Sequence, residues 1–170
     1  MLGLYAAVLT NKAYAAAFDF QVPTGFSLQA IALNCGVYKS ELTGADDDGA
    51  KLTRNLMKDV LKGKGTAQEL QQICVPEYIT DTFPPTFLMT ATGDFLKDQA
   101  MILLQKLTAC NVPLEFHFYA QEHATQKRLG TDGYADKPEA ELGHVFHCNM
   151  KLPEAARCNQ EECDFFHKFC

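Results

Sequence analysis

One aspartate and one histidine carry the chemistry in this sequence. Asp94 follows the apolar run Thr86 to Thr92 by a single glycine, within FLMTATGDFLKDQAMILLQKL (Phe87 to Leu107). That stretch has the pattern of a strand, a short turn and an amphipathic helix. In parallel sheets, ligands and catalytic groups gather at the carboxyl ends of strands, which is where this acid would stand. The competing role, capping the following helix, suits Asp98 better. His144 stands in Leu142-Gly143-His144-Val145-Phe146, a loop in which a glycine leaves space beside the imidazole, and a loop histidine held by a rigid scaffold can act as a general base. Together the two residues form an acid-histidine relay. A carboxylate accepting from one ring nitrogen would fix the tautomer and stabilise the imidazolium formed when the other nitrogen takes a proton.

Other constellations fare worse. His144, His147, Cys148, Cys158, Cys163, His167 and Cys170 crowd the last 27 residues, and zinc accepts such atoms. No C-x-x-C pair occurs, however, and Cys163 with His167 is the clean i, i+4 pair near the end. Cysteines beside Phe165, Phe166 and Phe169 read as small core hydrophobes. Asp46-Asp47-Asp48-Gly49 lacks the first Asp and terminal Glu of a calcium loop, and Gly63-Lys64-Gly65-Thr66 lacks the Lys-Ser/Thr pair and preceding strand of a phosphate loop. No metal and no cofactor is expected.

The elements that must position the pair follow from periodicity. Gly3 to Ala17 is Ala-rich at helical spacing and is closed by Val22-Pro23-Thr24-Gly25. Ser27 to Leu33 is a short apolar run bounded by turn residues, suited to a buried parallel strand. Tyr38 to Tyr78 is polar and helical, with an acidic turn at Asp46 to Asp48 capping a helix from about Gly49 to Leu61 and a second helix over Ala67 to Cys74. Pro84-Pro85 leads into the strand Thr86 to Thr92. Asp98 then begins a helix whose Ala100, Leu103, Leu104 and Leu107 share one face. Leu114 to Tyr119 is a third strand, Gln121 to Leu142 a long polar loop, and Pro153 opens a terminal helix. Strands separated by helical crossovers imply an α/β fold, a parallel sheet flanked by helices.

At 170 residues with 47% apolar and 21% charged content, the chain is one domain long and could bury roughly two-thirds of its unfolded surface. No apolar run is long enough to span a bilayer. A net charge of −6, with no basic stripe interleaved with aromatics, excludes nucleic acid as a partner. Seven cysteines without a dense regular framework fit reduced thiols and a cytoplasmic setting. MLGLYAAVL has neither a basic n-region nor a small-residue cleavage site, so it reads as a helix under way and not as a signal peptide.

The order strand-Gly-Asp-x-Leu-x-Asp, helix, strand, then Gly-His-x-Phe resembles the C-terminal part of the α/β-hydrolase fold, in particular the hormone-sensitive-lipase-like carboxylesterases and lipases. Pro84-Pro85-Thr86-Phe87 with Gly93-Asp94-Phe95-Leu96-Lys97-Asp98 is similar to the segment bearing the triad acid in that family. Gly143-His144-Val145-Phe146 is similar to the segment bearing the triad histidine, and Gly3-Leu4-Tyr5-Ala6-Ala7 to the helix after the nucleophile elbow. The resemblance implies acyl-ester hydrolysis of a small-molecule ester, with His144 as base and Asp94 as its orienting acid. It also implies that the stretch of about 38–80 corresponds to a helical cap-like insertion within one incomplete domain, 1–170.

The departure concerns the nucleophile. In this fold the serine precedes acid and histidine, in G-x-S-x-G at a strand-to-helix turn, which would fall just before Met1. The two serines of the chain, Ser27 and Ser40, stand in no such elbow, and the strands and oxyanion loop upstream are absent too. The expectation is a truncated hydrolase with acid and base but no nucleophile, and little or no activity alone. With the neighbouring strands missing, Ser27 to Leu33 would form an exposed sheet edge that favours self-association. The reading from another class is a binding or scaffold module that uses the Asp94 and His144 cleft without chemistry.

Overall fold

A computed structural model describes residues 2–18, 21–39, 66–121 and 141–169, together with 55, 59 and 61. Three parallel strands form a sheet in the order β1-β2-β3, with β1 at Ile31–Asn34, β2 at Thr86–Ala91 and β3 at Leu114–Tyr119. Ile31 pairs with Thr86, and Thr86 with Leu114. The central strand β2 is buried at all six positions, as a parallel strand covered on both faces must be.

The expected first helix is two. α1 (Leu2–Thr10) and α2 (Lys12–Ala15) break at Asn11, whose side chain accepts a hydrogen bond from the Tyr14 amide at 3.1 Å. This is the N-cap role that makes asparagine favour helix starts over interiors. The expected strand Ser27 to Leu33 is shortened to β1, because only from Ile31 onward does β2 supply partners. α3 (Ala67–Gln72) starts with a reciprocal capping box between Thr66 and Glu69, and α4 (Val75–Tyr78) follows. α5 (Lys97–Ala109) begins one residue before Asp98, with Leu96 at the cap and no side-chain cap bond. Asp98 lies inside the first turn, so its expected capping role is replaced by proximity to the positive end of the helix. Asn111 adopts φ 54° just past α5, the left-handed stop that asparagine tolerates. The terminal helix, α6, spans Pro153–Phe166 with its proline in the first turn.

Two apolar clusters cover the two faces. Leu33, Leu88, Ala100, Leu103, Leu107 and Val75 pack with α1 on one side, while Phe87, Met89, Ala155, Cys158 and Phe165 pack under α6 on the other. Alternation along β1 sends Ile31 and Leu33 to the α5 side. Cys35 belongs to the α6 side instead, because its φ of 50° turns the chain over at the end of the strand. α6 is further tied to β3 by the Tyr119 hydroxyl donating to Glu161, and by His117 Nδ1 at 3.3 Å from Glu161. The acidic turn Asp46 to Asp48, most of the expected helix 49–61, the Gly63 to Gly65 turn, Cys170 and most of the loop Gln121 to Leu142 lie outside the described residues.

Candidate active site

The carboxyl end of β2 delivers Asp94 into the interior. A tight turn bonds the Asp94 amide to the Ala91 carbonyl at 3.1 Å and the Lys97 amide to the Asp94 carbonyl at 3.1 Å, leaving Asp94 only 1% exposed. A carboxylate this buried is costly unless its lone pairs are filled. They are filled: Oδ2 accepts from the Thr90 hydroxyl at 2.8 Å, and Oδ1 accepts from the Leu96 amide at 2.9 Å and lies 2.9 Å from His144 Nδ1. Burial pushes the Asp94 carboxyl up, but hydrogen bonds from the Leu96 amide, Thr90, His144 and Cys35 outweigh it and hold the acid below its ordinary value. Asp94 is therefore an anion.

His144 reaches this anion from a second turn. The Gly93 amide donates to the Leu142 carbonyl at 2.9 Å, and Gly93 and Gly143 form a parallel bridge beyond the named strands. A Cβ at Gly93 would lie 2.7 Å from Glu141 Cβ and 2.9 Å from the Leu142 carbonyl, so the close approach of the two turns requires glycine there. The His144 side chain is 30% exposed against 0% for Asp94. The ring packs on Phe95 with centroids 4.6 Å apart. An ionised acceptor at Nδ1 fixes the hydrogen there and leaves Nε2 as the acceptor.

Cys35 completes the surroundings. Its sulfur lies within 4.8 Å of the Asp94 and His144 ligand atoms and donates to Met89 Sδ at 3.7 Å, and burial pushes its thiol up to about 12. A thiol that stays protonated is a poor nucleophile. Val145 is in the left-handed region, at φ 51°. The one group of three ligand-type side chains brought within 4.8 Å among the described residues is Cys35, Asp94 and His144, not the C-terminal cysteines and histidines. With Asp94 already accepting from amide, hydroxyl and imidazole, and Cys35 protonated, the group is a hydrogen-bonded relay. Burial also pulls His147 below its ordinary value.

Both sequence-predicted residues, Asp94 and His144, thus meet directly. Sequence reasoning missed Thr90, Phe95, the Leu96 amide and Cys35. Thr90 was not within reach of strand alternation, because β2 ends at Ala91 and Asp94 is placed by the turn beyond it. Cys35 was not either, since its placement depends on a backbone turn that no local residue type announces. Ser27 is exposed, accepts from Gln29 Nε2 at 2.9 Å and precedes β1 at the amino end of the sheet, opposite the Asp94 turn. Ser40 lies outside the described residues.

No protein-family model matches the sequence, and no curated protein matches it. Solved structures do. Esterase B from Lactobacillus rhamnosis (HN001) superposes with a TM-score of 0.72 at 20% identity, over 98% of this chain and 48% of the esterase. The same enzyme in a C6-C4 SN3 inhibited form superposes with a TM-score of 0.71 at 18% identity, over 98% and 49%. This chain carries part of an α/β-hydrolase fold. It spans about half the length of those esterases, and the shared half includes the three-stranded parallel sheet and its flanking helices. Among the described residues no helix of this hydrolase-fold chain is long and apolar enough to cross a membrane.

Proposed function

We propose that this chain is the acid-base half of a carboxylic-ester hydrolase of the hormone-sensitive-lipase-like type, with His144 as general base and Asp94 as its positioning acid. The observation that carries the proposal is the 2.9 Å contact between His144 Nδ1 and an Asp94 carboxylate that is fully buried yet held ionised. In such a reaction a serine hydroxyl attacks the ester carbonyl and Nε2 of His144 takes its proton. The imidazolium, stabilised by Asp94, then returns that proton to the departing alcohol. The resulting acyl-serine is hydrolysed by water activated at the same nitrogen. The fold shared with the esterases supports the substrate class.

The nucleophile is the component this reading takes from outside the chain. Ser27 stands at the wrong end of the sheet, and Cys35 is a buried, protonated thiol beside the relay. We therefore place turnover by the chain alone at little or none, since a triad without its nucleophile loses most of its rate advantage. The scattered cysteines support a cytoplasmic setting.

Treating a lysate of cells that make the protein with a tagged fluorophosphonate, then measuring the intact mass of the species carrying this chain, tests the reading. A labelled species well above 18.9 kDa is the expected result. An unlabelled species at 18.9 kDa that binds esters through Asp94 and His144 without covalent chemistry would replace the proposal with a binding module. Robust hydrolysis of a short p-nitrophenyl ester by the pure chain, abolished by His144→Ala, would overturn the missing-nucleophile part.

A further inference from the structure

We infer that Phe95 is a positioning residue of the relay, whose ring holds the plane of the His144 imidazole and backs the cation formed when Nε2 takes a proton. This role rests on His144 acting as the general base proposed above. A single hydrogen bond does not orient a ring. The 2.9 Å contact of Nδ1 with Asp94 Oδ1 fixes where that nitrogen sits, but the last torsion of a histidine side chain is broad and sets no single plane by itself. Aiming Nε2 takes a second contact. The Phe95 ring supplies one, with centroids 4.6 Å apart and planes inclined by 40°, inside the range in which aromatic pairs attract.

Backbone geometry places the phenyl there. Phe95 directly follows the acid in the turn closed by the Asp94 amide on the Ala91 carbonyl and by the Lys97 amide on the Asp94 carbonyl, each at 3.1 Å. The Leu96 amide bonds back to Oδ1 at 2.9 Å, so Phe95 is bracketed by bonds on both sides. Consecutive residues of one turn therefore meet one imidazole, Asp94 through its carboxylate and Phe95 through its ring. The contact lies within this turn and the His144 loop, so it does not depend on any strand outside the chain. Phe95 belongs to neither of the apolar clusters that cover the sheet, and core packing does not account for a phenyl at this position. The ring also brings a charge preference. A cation over an aromatic ring within about 6 Å of its centroid is attracted by the ring quadrupole, so the phenyl favours imidazolium over neutral imidazole. That gain is realised only once the proton has moved. A leucine of similar bulk would lack it.

Proton NMR of the chain at one fixed pH tests the role in Phe95→Leu and Phe95→Tyr. It follows the downfield Nδ1–H resonance of His144, its exchange with water, and the ratio of imidazolium to imidazole. In Phe95→Leu the exchange should quicken and the ratio should fall, each about fivefold, the factor that an aromatic pair contributes. Phe95→Tyr, which keeps the ring, should restore both to the parent values. The charged and titratable groups around the loop, Asp94, Cys35, Glu141 and His147, are the same in parent and variants. Urea midpoints should stay near that of the parent, since the position lies outside both apolar clusters. Unchanged exchange or an unchanged ratio in Phe95→Leu would overturn the inference. So would equal values in Phe95→Leu and Phe95→Tyr, which would make bulk alone responsible. Ester hydrolysis fails separately: an unlabelled species at 18.9 kDa in the fluorophosphonate experiment removes it, whereas unchanged NMR behaviour beside a labelled species removes only the role of Phe95.

Discussion

Gly93 and Gly143 meet as a parallel bridge, the Gly93 amide donating to Leu142 at 2.9 Å, and this contact sets the acid turn and the histidine loop side by side. Each glycine is one residue ahead of the group it delivers. The distance between Asp94 and His144 is therefore set by how closely two backbones approach.

That dependence predicts an asymmetry between the two glycines. Gly93→Ala puts a methyl 2.7 Å from Glu141 Cβ and 2.9 Å from the Leu142 carbonyl, whereas a Cβ at Gly143 meets nothing within 4 Å. Gly93→Ala should destabilise by about 1–3 kcal/mol, the usual cost of forcing an extra carbon into a packed site. It should also weaken the downfield proton resonance of a His144 Nδ1–H bonded to carboxylate. Gly143→Ala should stay within about 0.5 kcal/mol of the parent. Urea titrations and proton NMR of both variants check this, and equal effects would mean that the bridge does not set the spacing.

Legibility in the sequence followed the locality of each feature. β2 could be read because Pro84-Pro85 and Gly93 bracket a continuous apolar run, and Asp94 because one glycine separates it from that run. The His144 loop announced itself by Gly143. The break at Asn11 was hidden because Ala-rich helix continues on both sides, and the true start of β1 was hidden because it depends on where β2 begins to offer partners. The two donors that most constrain the acid, the Thr90 hydroxyl and the Leu96 amide, emerge only once the turn is folded. Cys35 is a tertiary partner, 59 residues away along the chain from Asp94, brought there by a left-handed residue at the end of an edge strand.

Asp94→Asn should cost about 1–3 kcal/mol at neutral pH, because an amide cannot accept from the Leu96 amide, Thr90 and His144 together. The sign of the pH dependence follows from the depressed folded value. A carboxyl whose pKa is lower folded than unfolded contributes stability that is complete above the unfolded value, about 3.9. That contribution fades as pH falls from there through the folded value. The variant has no such group, so the stability gap between parent and Asp94→Asn should narrow as pH drops below about 4. Denaturant midpoints across that range measure it, and a gap constant with pH would show that ionisation of Asp94 is not what the donors stabilise.

Val145 holds a β-branched side chain at φ 51°, a conformation that costs an L-residue about 1–2 kcal/mol. Glycine pays no such cost but gains freedom in the unfolded chain, worth about 0.4–1 kcal/mol against it. The balance favours Val145→Gly by about 0.5–1 kcal/mol. A lower urea midpoint than the parent would mean that packing of the half-exposed valine outweighs its backbone strain.

Thiol chemistry separates the relay cysteine from its surface counterparts. Cys35 and Cys158 are buried, and burial pushes their thiols up to about 12 and about 11, whereas Cys148 and Cys163 are exposed. Alkylation proceeds through the thiolate and needs access. In the native chain at neutral pH, iodoacetamide should therefore modify Cys148 and Cys163 first, with Cys35 and Cys158 reacting only as the protein opens. Peptide mass spectrometry over a time course, with and without denaturant, follows each site. Early labelling of Cys35 would mean that the sulfur beside Asp94 is a thiolate within reach of solvent, and its role would change from buried neighbour of the relay to candidate nucleophile.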